Sequence, residues 1–204
     1  MKKGGIGGAN TNANGLKFED KTDLASSINA NLSSEYELKK HAFKNPNRLV
    51  IKNSKSPAFD VIRLKDNQRI GVITNQNQFY NVLYDHYGLR NANHKNWKPD
   101  EVFFNFETNT VYIVEKKWQS GAGSVDEKIF GFVNKRRLYQ NNFNQLNDEP
   151  KPTVEFSALF NSDWWLKGGA KGENGKHYQD YFDNLRIDGI KIFFDKYEYW
   201  WFGL

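Results

Sequence analysis

Three residues of this chain could do hydrolytic chemistry together. Asp100 follows Pro99, and after fourteen intervening residues stands "EKK", Glu115 to Lys117. The apolar and aromatic runs around "EVFFNF" and "TVYIV" flank a polar turn, "ETNT" at 107–110, which is the pattern of a β-hairpin. In a strand, residues i and i+2 share a face, so Glu115 and Lys117 project together while Lys116 points the other way. Pairing across the turn then brings Asp100 roughly opposite them. Two carboxylates with no His or Cys nearby suit a hard cation such as Mg²⁺, which keeps several waters and accepts phosphate oxygens. An adjacent lysine can orient a water and stabilise charge on a phosphate. Phosphodiester hydrolysis is the chemistry that fits.

The positioning elements follow from periodicity and punctuation. Residues 1–15, rich in Gly, Asn and Thr, read as a flexible arm, leaving 16–204 as a single domain. "GLKFEDKTDLASSINANL" places Leu16, Leu24, Ile28 and Leu32 at helical spacings. "DVIRLKDNQRIGVIT" alternates on both sides of Asp66-Asn67 and predicts a first hairpin. "NQFYNVLYDHYGLR" predicts a helix stopped by Gly88. After the site hairpin, Ser124 with Glu127 forms a capping box for a helix expected to run to about Leu146. "PTVEFSALF" is a strand, "KHYQDYFDNLR" a helix, and "IDGIKIFFDKYEYWWF" one or two closing strands.

"PD…EKK" resembles the PD-(D/E)xK nuclease superfamily, most closely its type II restriction endonucleases. The resemblance implies an α/β core in which a mixed sheet carries the motif on a hairpin between helices. It implies Asp100 and Glu115 as metal ligands and Lys117 as the catalytic lysine. Gln119 is similar to the glutamine that several branches place two residues beyond the lysine, and Glu19 to an acidic residue that many members supply from an early helix. It also implies Mg²⁺ as cofactor, double-stranded DNA as substrate, a homodimer on palindromic sites, and a cognate DNA methyltransferase in the same system.

Composition agrees with a polyanionic partner. The formal net charge is +5, with pI near 9.2. Cysteine is absent, which excludes disulfides and thiolate metal sites. No run approaches a membrane span and the opening residues hold no apolar signal-type stretch, so a cytoplasmic protein is expected. Lys135, Arg136 and Arg137, on a helix, and Lys167 and Lys171, in a glycine-rich loop, are candidates for DNA phosphates. His41, His86, His94 and His177 show no metal spacing. Three rival functions remain at this stage: a repair or junction nuclease with the same site, an RNA-directed nuclease, and a basic binding module without catalysis. The plainest alternative for "EKK" itself is an exposed edge strand blunted by lysines.

Overall fold

The computed structural model describes residues 7–52, 54–121, 125–168 and 173–204. Two helices, α1 (Gly7–Lys21) and α2 (Leu24–Asn31), lead into strands β1 (Tyr36–Lys40), β2 (Ala58–Arg63) and β3 (Gln68–Thr74). Helix α3 (Gln78–Tyr87) precedes the hairpin of β4 (Glu101–Asn105) and β5 (Thr110–Lys117). Helices α4 (Val125–Ile129) and α5 (Phe132–Phe143) lead to β6 (Thr153–Phe160). The short α6 (Ser162–Trp165) and α7 (Asn174–His177), with α8 (Gln179–Ile187), then lead to β7 (Ile190–Phe194).

The seven strands form one sheet in chain order. Neighbours from β1 to β5 are antiparallel, β1 and β2 joined by the long connection 41–57, β2 and β3 and β4 and β5 by turns, and β3 and β4 by α3 and the segment after it, while β5, β6 and β7 are parallel. Parallel neighbours need crossovers, and α4–α5 and α6–α8 supply them. The result is an α/β protein, a mixed sheet between helices. Among the described residues no helix is long and apolar enough to cross a membrane.

Strand alternation sorts the core into two layers. Val102 and Phe104 of β4, with Val111 and Ile113 of β5, pack under α3, α5 and α8 against Phe79, Leu83, Tyr139 and Phe182. Phe103, Tyr112 and Val114 face the other way, against Phe18, Leu24 and Ile28 of α1 and α2 and against Phe202 near the C-terminus. β4 and β5 are therefore covered on both faces, which is why they read as nearly unbroken apolar runs. A β-bulge at Ile70 of β3, next to Gly71, interrupts the pairing with β2 between Val61 and Ile62. A side chain at Gly71 would overlap the Phe104 carbonyl oxygen and the Phe103 ring.

Several expectations are corrected. β5 lies between β4 and β6, so Glu115–Lys117 do not end an edge strand. The first helix begins at Gly7, not after residue 15, because a helix anchored by buried Phe18 extends at the gain of one hydrogen bond per residue. It also breaks before residue 24: the Thr22 hydroxyl donates back to the Phe18 carbonyl (2.6 Å), and Asp23 caps α2 by accepting from the Ser26 N–H (2.7 Å). The helix expected from 124 to 146 is two helices, interrupted at Phe130-Gly131, and the Ser124 cap lies outside the described residues. "YELKK" forms β1, a strand the sequence reading passed over, and after β7 the chain closes in a 3₁₀ turn, Tyr199–Phe202. The αL residue Gly88 does end α3, with φ 70°.

His86, on α3, stacks on Phe106 with ring centroids 3.8 Å apart. This cover, together with the nearby Arg69 and Lys44 charges, pushes its pKa down to about 4 from an ordinary 6.5. A depressed value means that the neutral ring contributes stability above pH 6.5, and that this contribution is lost as pH falls toward 4. Denaturant midpoints at pH 7 and pH 4.5 should therefore fall further apart in the wild type than in His86→Gln. Equal differences, or a His86 NMR titration midpoint near 6.5, would contradict this.

Candidate active site

The hairpin register settles where the sequence-selected residues lie. Glu101 pairs with Val114, so Asp100, one residue earlier, lies across from Glu115. By alternation Glu115 and Lys117 share the face of Val111 and Ile113, beneath α5, whereas Lys116 shares the opposite face with Tyr112 and Val114. The Lys117 ammonium lies 3.0 Å from Glu115 Oε2 and 3.6 Å from Asp100 Oδ2. Asp100 Oδ2 accepts the Lys116 backbone N–H at 2.7 Å, which fixes this carboxylate against the paired strand.

Electrostatics mark the cluster as costly. Burial raises the Asp100 pKa, and the neighbouring Glu115 charge adds to the rise, against the opposing pull of Lys117. Burial alone would lower the Lys117 pKa, but Glu115 and Asp100 more than offset it, so the ammonium is held charged. Glu115 is only 2% exposed, and its Oε1 has no hydrogen-bond partner among the described residues. An unpartnered buried carboxylate oxygen is expensive unless something else occupies it.

Glu19 arrives from the other face. α1 brings it to a cleft of about 320 Å³ that it shares with Asp100, Glu101 and Lys116. Burial, and then the Asp100 charge, raise the Glu19 pKa. Glu19 thus senses Asp100, but among the described residues no three His, Cys, Asp or Glu side chains form a group that could hold a metal ion by themselves. Mg²⁺ does not require three: one or two carboxylates suffice when waters and phosphate oxygens complete the octahedron. Asp100 and Glu115, with Oε1 unpartnered, fit that requirement.

The other candidates divide. Gln119 is held by backbone hydrogen bonds with the Asn161 amide (2.8 and 2.9 Å) and donates from its side chain to Gly121; none of its hydrogen bonds reaches Asp100, Glu115 or Lys117. It secures the exit of β5, as does the Trp165 indole N–H, which donates to the Lys117 carbonyl at 3.2 Å. Arg136 donates to the Val154 carbonyl and lies 3.5 Å from Glu155, so it ties α5 to β6. Arg137 is exposed on α5, and Lys167 is an exposed partner of Asp163, 3.7 Å away. Lys171 lies outside the described residues.

Lys135 has a different place from the one its neighbours suggested. Its ammonium lies 2.7 Å from Glu115 Oε2, the oxygen that Lys117 also contacts. The Tyr139 hydroxyl, one turn further along α5, is buried without a partner, and burial together with the Glu115 charge raises its pKa. A signal for this was present in the sequence: Phe132, Lys135, Tyr139 and Phe143 recur at spacings of three and four, which puts Lys135 on the buried stripe of the helix.

Lys116 closes the arrangement from the far side. Its ammonium lies 2.6 Å from Glu101 Oε1 and donates to the Glu19 carbonyl at 2.9 Å, with both charged side chains almost fully buried. Burial raises the Glu101 pKa to about 7, against the pull of Lys116. Removing one partner strands the other charge in the interior. Lys116→Met should therefore lower stability by about 3–5 kcal/mol, and Lys116→Met with Glu101→Leu should recover most of the loss in urea unfolding. A double variant as unstable as the single one would show that the pair does not act as a unit.

No family model, no curated protein and no solved structure matches this chain, so the chemistry rests on these side chains alone.

Proposed function

We propose that the protein is a Mg²⁺-dependent endonuclease of the PD-(D/E)xK type that hydrolyses phosphodiester bonds of double-stranded DNA at a specific short sequence, in the manner of a type II restriction enzyme. The observation that carries the reading is the Asp100–Glu115 pair on one sheet face, served by two ammonium groups, with Glu115 Oε1 buried and unpartnered. A sheet does not bury such a constellation for stability, since apolar residues of similar volume would serve as well or better. Strand positions, early-helix Glu19 and net positive charge agree with the same reading.

On this reading Asp100 and Glu115 would hold the metal, and Glu19, which lines the same cleft as Asp100, would be the further acidic residue of the site. When bound, Mg²⁺ supplies Lewis acidity to the scissile phosphate. Lys117, held charged by its two carboxylates, orients the attacking water and faces the negative charge that grows on the phosphoryl oxygens. Lys135 keeps Glu115 Oε2 in place and adds a second cation on the α5 side. Water adds to phosphorus, the bond to the leaving deoxyribose oxygen breaks, and that oxygen takes up a proton. The restriction reading further implies a two-fold dimer, matching palindromic DNA, and a methyltransferase that protects host sites.

Purified protein with Mg²⁺ and unmodified plasmid or phage DNA should give discrete fragments, none in EDTA. Asp100→Ala and Lys117→Ala should each lose at least about 100-fold in rate. Lys135→Ala should lose turnover while keeping its affinity for duplex. If no duplex is cut, parallel incubations with branched DNA and with RNA test the repair and RNA-directed alternatives. Unchanged behaviour of Asp100→Ala and Lys117→Ala in every incubation would leave the non-enzymatic binding module.

A further inference from the structure

The register places the ends of β1, β3 and β5 and the starts of β2 and β4 at one end of the sheet, the end that carries Asp100 and Glu115. Two long connections emerge there, residues 41–57 between β1 and β2 and residues 88–99 between α3 and β4. Together they contain seven lysines and arginines and no acidic residue: Lys44, Arg48, Lys52, Lys55, Arg90, Lys95 and Lys98. All seven are exposed. None forms an ion pair with a described residue, whereas Arg63, Arg69, Lys116, Lys117 and Lys135 all do. The turns at the opposite end have the reverse balance, with Glu35, Asp66, Glu107, Asp148 and Glu149 against Lys65 and Lys151.

These connections are built, although almost devoid of regular structure. The Asn81 amide both accepts from the Ile51 N–H (2.8 Å) and donates to the Ile51 carbonyl (3.0 Å), and Asp85 accepts the Lys44 N–H at 2.8 Å. In the second connection the Asn91 amide donates to the carbonyls of Asn93 and Lys95, the Asn142 side chain accepts the Ala92 N–H at 2.9 Å, and Gln145 donates to the Arg90 carbonyl at 2.8 Å. Phe43, Ile51, Leu89 and Trp97 anchor both segments to the core. Helices α3 and α5 thus hold two irregular segments whose exposed lysines and arginines are not balanced by any acidic residue of their own. Long ordered loops of this kind belong to functional surfaces.

We infer that this face, formed by residues 41–52, 54–57 and 88–99, is the track for the phosphate backbone of a DNA duplex whose scissile bond reaches Asp100. The inference deepens the nuclease reading and rests on it for the choice of DNA. Cations without internal ion pairs neutralise phosphates and release condensed counterions, and each contact contributes about 0.9 to the slope of log affinity against log salt. The site-facing Lys135 and the structural Arg136 are not part of this track.

The test is duplex binding by the full chain with Ca²⁺ in place of Mg²⁺, titrated from 50 to 300 mM salt, with cleavage in Mg²⁺ assayed separately. Lys44→Gln/Arg48→Gln/Lys52→Gln should flatten the salt slope by about 2 to 3 and weaken binding on the order of 100-fold near 0.1 M salt. Lys65→Gln/Lys151→Gln, at the opposite end, should change neither. Circular dichroism and unfolding midpoints confirm that both variants fold. An unchanged slope, an equal fall in both variants, or no duplex binding at 50 mM salt overturns the assignment. A slope that falls for duplex RNA and not for duplex DNA overturns DNA as the partner. If the slope falls as expected but no DNA is cut, the surface stands and the nuclease reading fails. If DNA is cut with an unchanged slope, the reverse holds.

Discussion

The buried ammonium of Lys116 is the fastening on which the rest of the arrangement depends. Through Nζ it joins Glu101 on β4 to the Glu19 carbonyl at the end of α1, and through its backbone N–H it holds the Asp100 carboxylate. One residue thus connects the helical layer on one face of the sheet to the carboxylates on the other. Because neighbouring strand residues point to opposite faces, anything that displaces Lys116 also displaces Glu115 and Lys117, which share its backbone. An ion pair in so apolar a setting is a poor source of net stability. Its value here is positional: with one geometry satisfied and the alternatives leaving a bare charge, the strand end has a single place to be.

The residues beside it show how a protein positions a charge cluster without stabilising it. Glu115 is compressed between two ammonium groups on one oxygen, while the other oxygen is left without a partner. The exit of β5 is fixed by Gln119 pairing with Asn161 and by the Trp165 indole on the Lys117 carbonyl. These contacts are directional and neutral, so they hold the backbone in place without altering the field that Lys117 experiences. Trp165 itself is fully buried against Phe160, Tyr178 and Phe182, which makes an aromatic core residue part of the site's support.

Much of this was legible in the sequence where the signals are local. The two hairpins, the Gly88 stop of α3 and the facing of Asp100, Glu115 and Lys117 follow from turn chemistry and a period of two. What a period of two cannot say is what covers each face. Lys116, which only the edge-strand alternative gave an environment, a solvated one, is buried beneath α1. The break at Thr22–Asp23 is made by side-chain hydrogen bonds to the backbone, and that at Phe130-Gly131 divides two helices, features that periodicity does not encode. Lys135 stood in a basic triplet that pointed to DNA phosphates, yet its spacing to Phe132, Tyr139 and Phe143 was the better guide to its place. β1 was missed because its alternation is spelled in Glu and Lys.

The amides that hold the two connections beside Asp100 have a further consequence. Asn81, Asn91 and Asn142 offer donors and acceptors without charge, so most of the scaffold of the cationic face adds no counter-charge, the Asp85 carboxylate under the Lys44 N–H being the exception. Aspartates at these three positions could accept the same N–H groups, but they would place further anions beneath the lysines and arginines of the face. The same choice makes the protein sensitive to chemical ageing. Hydrolysis of one of these amides to a carboxylate would remove its donors and add a negative charge beneath the face, loosening a loop and weakening its field in a single step.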